Sequence, residues 1–213
     1  MHPVDAPSPL SALPRRRLLA LPLALGVTAA LGSLSACDSS LNKPSFRNTD
    51  ITGADFAKDF ALTDHNGRAV TLSTFAGKVV VVFFGFTHCP DVCPTTMIEM
   101  AETMKLLGEK ARDVQVLFVT VDPERDKPEL LKSYVPAFNP GFLGLYGDAA
   151  ATAATAKMFK VFYQKVPGKT EGSYTMDHTA GSYVFDKSGK VRLFVKHGAG
   201  PEVLAQDLKQ LLG

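Results

Sequence analysis

The sequence predicts an α/β domain: a central mixed sheet flanked by helices, with an N-terminal β-hairpin. Three observations point to it. The run Lys78-Val79-Val80-Val81-Val82-Phe83-Phe84 is β-branched and aromatic from Val79 on, as a strand buried on both faces requires. Strand-like and helical stretches alternate after it and end in a hairpin and a last helix, the order in which a sheet is covered on both faces. Ahead of it, Asp64-His65-Asn66-Gly67 separates two short apolar stretches, and Asn-Gly is a strong hairpin-turn signal.

The chain begins with what reads as an export signal, residues 1–37. Arg15, Arg16 and Arg17 precede an uncharged apolar run that is broken by Pro22, Gly26 and Gly32 and closes on Leu34-Ser35-Ala36-Cys37. That ending resembles a bacterial lipobox, in which the cysteine is lipidated and becomes the first residue of the mature protein. A plain membrane anchor is the alternative, since the run is nearly long enough to span. A cysteine placed directly after Leu-Ser-Ala favours lipidation of Cys37. The arginines match the twin-arginine pattern only loosely, so the general and twin-arginine export routes both stay open. Either route leaves the domain outside the cytoplasm, held at a membrane surface.

Residues 38–50 are polar and without apolar period, as in a flexible tether, and the folded part is expected over 51–213. Residues 60–62 and 69–72 are the hairpin arms. After the buried strand, residues 94–110 carry helical apolar spacing at Met97, Met100, Ala101, Met104 and Leu107. A second buried strand is expected over 114–121, a short helix over 128–135, a brief strand near 142–145 and an alanine-rich helix over 149–159. Residues 183–185 and 191–195 form a second hairpin around Asp186-Lys187-Ser188-Gly189, and residues 201–212 an amphipathic helix.

Composition sets limits on function. The 213 residues are 46% hydrophobic and 21% charged, enough for a sizeable core. The formal charge of +2 comes from the signal: beyond residue 37 the chain carries 20 basic and 20 acidic residues. A neutral domain gives no electrostatic reason to bind nucleic acid.

With Cys37 lipidated, Cys89 and Cys93 are the whole thiol inventory, in a compartment where disulfides persist. They stand four apart in a turn that follows a buried strand and opens a helix, so their sulfurs can share one side. The helix N-terminus is expected to lower their pKa values and make thiolates available. Thiolate pairs suit soft metals, Cu(I) above all, and also disulfide exchange. A copper site needs a third ligand. His65 is expected exposed in its turn and His2 lies in the signal. His178, just before a strand, leads His88 and His197 only slightly on these grounds. Met97, Met100 and Met104 have the spacing of core residues rather than of a copper-binding array. Asp122 lies where α/β folds place functional loops, so it is a candidate to brace a ligand. Asp126 suits the cap of the following helix.

The segments Phe86-Thr87-His88-Cys89-Pro90-Asp91-Val92-Cys93-Pro94, Val121-Asp122-Pro123-Glu124-Arg125-Asp126 and Asp177-His178-Thr179 occur in the order and spacing of the Sco/SenC family. Those proteins are copper-binding, thioredoxin-like assembly factors for cytochrome c oxidase. The resemblance covers residues 52–213. It implies a thioredoxin-like fold and one copper ion per monomer, held by Cys89, Cys93 and His178. Cu(I) would sit between two thiolates and an imidazole, and Cu(II) would recruit a further, weaker ligand. It also implies a metallochaperone rather than an enzyme, delivering copper to the binuclear copper site of oxidase subunit II. Another periplasmic copper chaperone would be a suitable donor. Lipidation at Cys37, followed by Asp38, resembles the signal that retains lipoproteins at the periplasmic face of the inner membrane; mitochondrial members instead use a transmembrane helix.

The alternative is a thiol–disulfide oxidoreductase in which Cys89 and Cys93 cycle through a disulfide, reducing the cysteines of subunit II or acting in redox signalling. Against it, three residues separate the cysteines rather than two, and Asp177-His178-Thr179 stands where a thioredoxin carries its cis-proline.

Overall fold

A computed structural model describes residues 45–213; the predicted signal with Cys37, and the first part of the predicted tether, lie outside the described residues. The first half of the domain contains β1 (Thr49–Asp50), β2 (Leu62–Asp64), β3 (Ala69–Val70), β4 (Val79–Gly85), α1 (Val92–Leu107) and β5 (Val114–Thr120). The second contains α2 (Pro128–Phe138), β6 (Leu143–Tyr146), α3 (Ala149–Phe159), β7 (Tyr163–Pro167), β8 (Tyr174–His178), β9 (Gly181–Phe185), β10 (Val191–Lys196) and α4 (Pro201–Leu212).

Eight strands form one mixed sheet in the order β1-β10-β9-β4-β5-β6-β2-β3, while β7 and β8 pair only with each other. β4, β5 and β6 run parallel, and β9 is antiparallel to β4. β4 and β5 are buried at every position, which explains their unbroken apolar sequence. The steps from β4 to β5 and from β5 to β6 go the same way across the sheet, so right-handed crossovers put α1 and α2 on one face. α4 joins them there, against α1. The chain then returns from β6 towards β9 through α3, on the opposite face. There Phe159 packs against Phe84, Tyr183 and Phe185, with ring centroids 5.1, 5.4 and 6.0 Å apart. Phe83, alternating with Phe84, faces the other way and meets its in-register neighbour Phe118 at 6.0 Å.

Four local features differ from expectation. The N-terminal hairpin is present but short, with only Leu62↔Val70 and Thr63↔Ala69 paired; residues 72–75 form a 3-10 turn. In its loop only Gly67 takes a positive φ, 83°, and the buried Asp64 carboxylate accepts hydrogen bonds from the Asn66 and Arg68 amides. His65 is not exposed: β2 lies on β6, and His65 Nδ1 accepts a 3.0 Å hydrogen bond from the Gly144 amide. The tether is shorter than predicted, because buried Asp207 on α4 accepts from the amides of Arg47 and Asn48, and Thr49–Asp50 pair with β10. Finally, β7 and β8 were not expected at all. Of their residues only Met176 is buried, so the apolar signal for this ladder is thin.

Candidate metal centre

The centre forms where β4 ends. Gly85 is its last residue, and a Cβ there would lie 2.9 Å from Phe118 Cε2 and 3.1 Å from Cys93 Sγ. Only glycine lets the Cys93 sulfur rest against the strand. Cys93 belongs to the buried stripe of α1 with Met97, Met100, Met104 and Leu107, which makes those methionines core residues, as their spacing implied. Cys89, half-buried in the preceding turn, places its Sγ 3.5 Å from the Cys93 amide and accepts its hydrogen bond. A sulfur thus takes one of the free N–H groups of the first helical turn, where Asp91 makes no side-chain cap. Both cysteines are free thiols. For Cys93 the expected lowering by the helix end is overturned: burial pushes this thiol strongly upward. A cation bound there would reverse that preference.

β8 ends at His178, which faces Cys93 across the end of the sheet. Its Nδ1 lies 3.0 Å from the Thr179 carbonyl oxygen, and a carbonyl only accepts. Nδ1 therefore carries the proton, and Nε2 presents a lone pair 3.7 Å from Cys93 Sγ. Two ligands at about 2.3 and 2.0 Å from one ion, opening at about 120°, stand about 3.7 Å apart, taking zinc–sulfur and zinc–nitrogen lengths as a guide. The pair fits a shared metal. Phe83 and Phe86 meet the imidazole edge-on at 6.4 and 5.9 Å, and burial holds its pKa below the ordinary value, keeping it a neutral ligand. Among the described residues no three His, Cys, Asp or Glu side chains are already gathered as a metal cage. Of the predicted ligands, Cys89, the half-buried thiol beside Cys93, is the one that could close such a site.

Two carboxylates from the segment after β5 brace the centre. Asp126 is buried and accepts from the Thr87 amide at 3.0 Å, Thr87 Oγ1 at 2.5 Å and Thr120 Oγ1 at 2.6 Å. It straps the cysteine turn to the end of β5. It does not cap α2, whose N-cap is Lys127 with no side-chain cap bond. Asp122 bonds none of the three predicted ligands. It accepts from Arg125 Nε at 2.5 Å and Tyr174 Oη at 2.9 Å. Arg125 Nη1 donates to the Tyr174 carbonyl at 2.9 Å, and its guanidinium lies 3.6 Å over the Tyr174 ring. Asp122 thus acts on His178 through the hairpin that carries it.

The other histidines stand apart. The His88 side chain is 48% exposed and its Nδ1 lies 3.0 Å from Thr87 Oγ1. His197 is exposed, with Nδ1 3.0 Å from Thr96 Oγ1 on α1. Sequence reasoning missed Gly85, Thr87, Arg125 and Tyr174. Arg125 stood in a segment already singled out; nothing in the sequence marked Tyr174.

The family model described as SCO1/SenC matches residues 48–213. Among solved structures, copper-bound ScoI of Bradyrhizobium japonicum is 45% identical, with a TM-score of 0.66 over 71% of this chain and 96% of that one. A SCO1/SenC family lipoprotein from Bacillus anthracis is 28% identical, with a TM-score of 0.64 over 79% of this chain and 100% of its own. BsSco, a member of the Sco family of cytochrome c oxidase assembly proteins in which a disulfide switch has been identified, is 25% identical, with a TM-score of 0.59 over 78% and 98%. The thioredoxin-like fold implied by the sequence is borne out by these likenesses. Matched over most of its length by the family model and over nearly the whole of a close structural relative, the chain belongs to the SCO1/SenC family.

Proposed function

We propose that this protein binds one copper ion through Cys89, Cys93 and His178 and passes it to the binuclear copper site of cytochrome c oxidase subunit II. The observation that carries this reading is the 3.7 Å approach of the His178 Nε2 lone pair to the buried Cys93 sulfur. Relatives of the same family are solved with copper bound, and one is a cytochrome c oxidase assembly protein. Few ligands, one of them half-buried, suit a cargo site, since an incoming thiolate can attack while one native ligand leaves. Lipidation of Cys37 would hold the domain at the periplasmic face of the inner membrane, near a membrane-bound oxidase. A lipoprotein relative supports that anchor, and no helix among the described residues is long and apolar enough to cross a membrane.

A second reading is favoured by one observation, the unequal exposure of the two thiols. Half-buried Cys89 sits beside the Cys93 amide while Cys93 is buried, an arrangement of attacking and resolving thiols. In that reading the pair closes to a disulfide and reduces the subunit II cysteines.

Copper titration of the reduced full-length chain in detergent separates the two. One tightly bound copper, weakened by each of Cys89→Ala, Cys93→Ala and His178→Ala, is the expected result. Unchanged binding by His178→Ala removes the third ligand. Absence of binding, together with reduction of an oxidised subunit II peptide, replaces copper delivery with thiol–disulfide exchange.

A further inference from the structure

Three buried side-chain atoms among the described residues find no hydrogen-bond partner: Arg125 Nη2, Tyr134 Oη and Thr152 Oγ1. Such groups cost stability and are rare, so each calls for a physical reason. Tyr134 lies on α2 beside buried Leu131 and Val135, its ring edge-on between Phe118 at 5.8 Å and Phe138 at 5.2 Å. The Phe118 ring is the one that, with the Cys93 sulfur, closes the space over Gly85. Tyr134 therefore packs onto the floor of the cysteine pair. Burial first, and then the charges of Cys93, Cys89 and Asp126, push its phenol upward, as expected for a hydroxyl in the same corner as those three groups. Asp126 already accepts three hydrogen bonds on its two oxygens. The two sulfurs are the acceptors of that corner whose charge a bound metal would change. A thiol accepts weakly, whereas a thiolate accepts a charge-assisted hydrogen bond.

We propose that the Tyr134 hydroxyl donates a hydrogen bond to the cysteine sulfurs when the pair holds copper, and so positions and tempers the two thiolates. The proposal rests on the copper reading. It makes Tyr134 a positioning residue whose partner exists only in the loaded protein. Phenylalanine keeps the ring and its packing on Phe118 and removes only the hydroxyl, so Tyr134→Phe isolates that contribution.

Three measurements on the full-length chain test it: thermal unfolding without metal, Cu(I) affinity against a chromogenic chelator, and the thiolate-to-Cu(II) charge-transfer absorption. Tyr134→Phe is expected to melt no lower than the unaltered chain when metal-free. It should hold Cu(I) about ten-fold more weakly, the usual cost of losing a partner of a metal ligand. The charge-transfer band should move. Equal affinity together with an unmoved band overturns the proposal and leaves the copper reading standing. A lower metal-free melting temperature also overturns it, because the hydroxyl would then be bonded without copper. An unaltered chain that binds no copper overturns both.

Discussion

The two sides of the candidate centre are built differently. The cysteine side grows out of β4 and β5, buried at all seven positions each, and its turn is strapped down by the buried Asp126. The histidine side hangs on β7 and β8, a two-stranded ladder outside the main sheet in which only Met176 is buried. Arg125, stacked on Tyr174 and paired with Asp122, ties that ladder down together with the Tyr174–Asp122 hydrogen bond and the Lys165–Glu124 ion pair. Segments with few buried apolar contacts open at lower free energy than core strands. In the proposed copper reading, a ligand set divided this way would keep its thiols in place while the imidazole side opens. A protein that must release its metal gains from that division, because one ligand can leave without unfolding the site.

Four experiments break or sharpen the contrast. Asp126→Ala strikes the strong side and should have the largest effect. It leaves three donors without an acceptor, so unfolding by urea should show a loss of about 3 kcal/mol. A loss near zero would mean the strap holds nothing. Gly85→Ala comes next, since the added Cβ meets the Phe118 ring and the Cys93 sulfur; overpacking of this kind costs about 2 kcal/mol, read by the same denaturation. Arg125→Ala strikes the weak side. Global stability should change little, while amide exchange in residues 163–178 speeds up and copper affinity falls about ten-fold. If β4 amides accelerate equally, the hairpin is not an independent unit.

The smallest effect is one of pH. Burial lowers the His178 pKa, against smaller opposing effects of its hydrogen bond to the Thr179 carbonyl and of the Asp177 charge, so the docked hairpin holds fewer protons than the open one. Docking of the metal-free hairpin should therefore be strongest above the ordinary histidine value of about 6.5 and weaken as pH falls from there through the lowered value. Amide exchange in β8 should rise over that window while β4 stays unchanged. His178→Asn should remove the dependence.

Much of this was legible in the sequence. The buried strands, the α1 methionine stripe and the two hairpins within the sheet followed from periodicity and turn chemistry, which act over a few residues. Cys89 and Cys93 declared themselves by spacing and by being the only cysteines beyond residue 37. Other features were hidden for definite reasons. His65 looked solvated because the strand pairing that covers it comes from residue 144, far along the chain. The β7–β8 ladder carries too few buried residues to show a pattern. Asp126 resembled a helix cap by position, yet the carboxylate turns inward to two threonines.

The sequence by itself determined the fold class, the thiol pair and, through resemblance, which histidine to examine. Periodicity, turn residues and residue type are properties of neighbours in the chain. Tertiary structure alone decided that burial rather than the helix end governs the Cys93 thiol, and that His178 turns its unprotonated nitrogen to that sulfur. It also decided that Arg125 and Tyr174 brace the imidazole, and that the Tyr134 hydroxyl shares the cysteines' corner without a partner. Each of these depends on groups brought together across the end of a sheet, where desolvation and hydrogen-bond geometry act between residues that no local pattern relates.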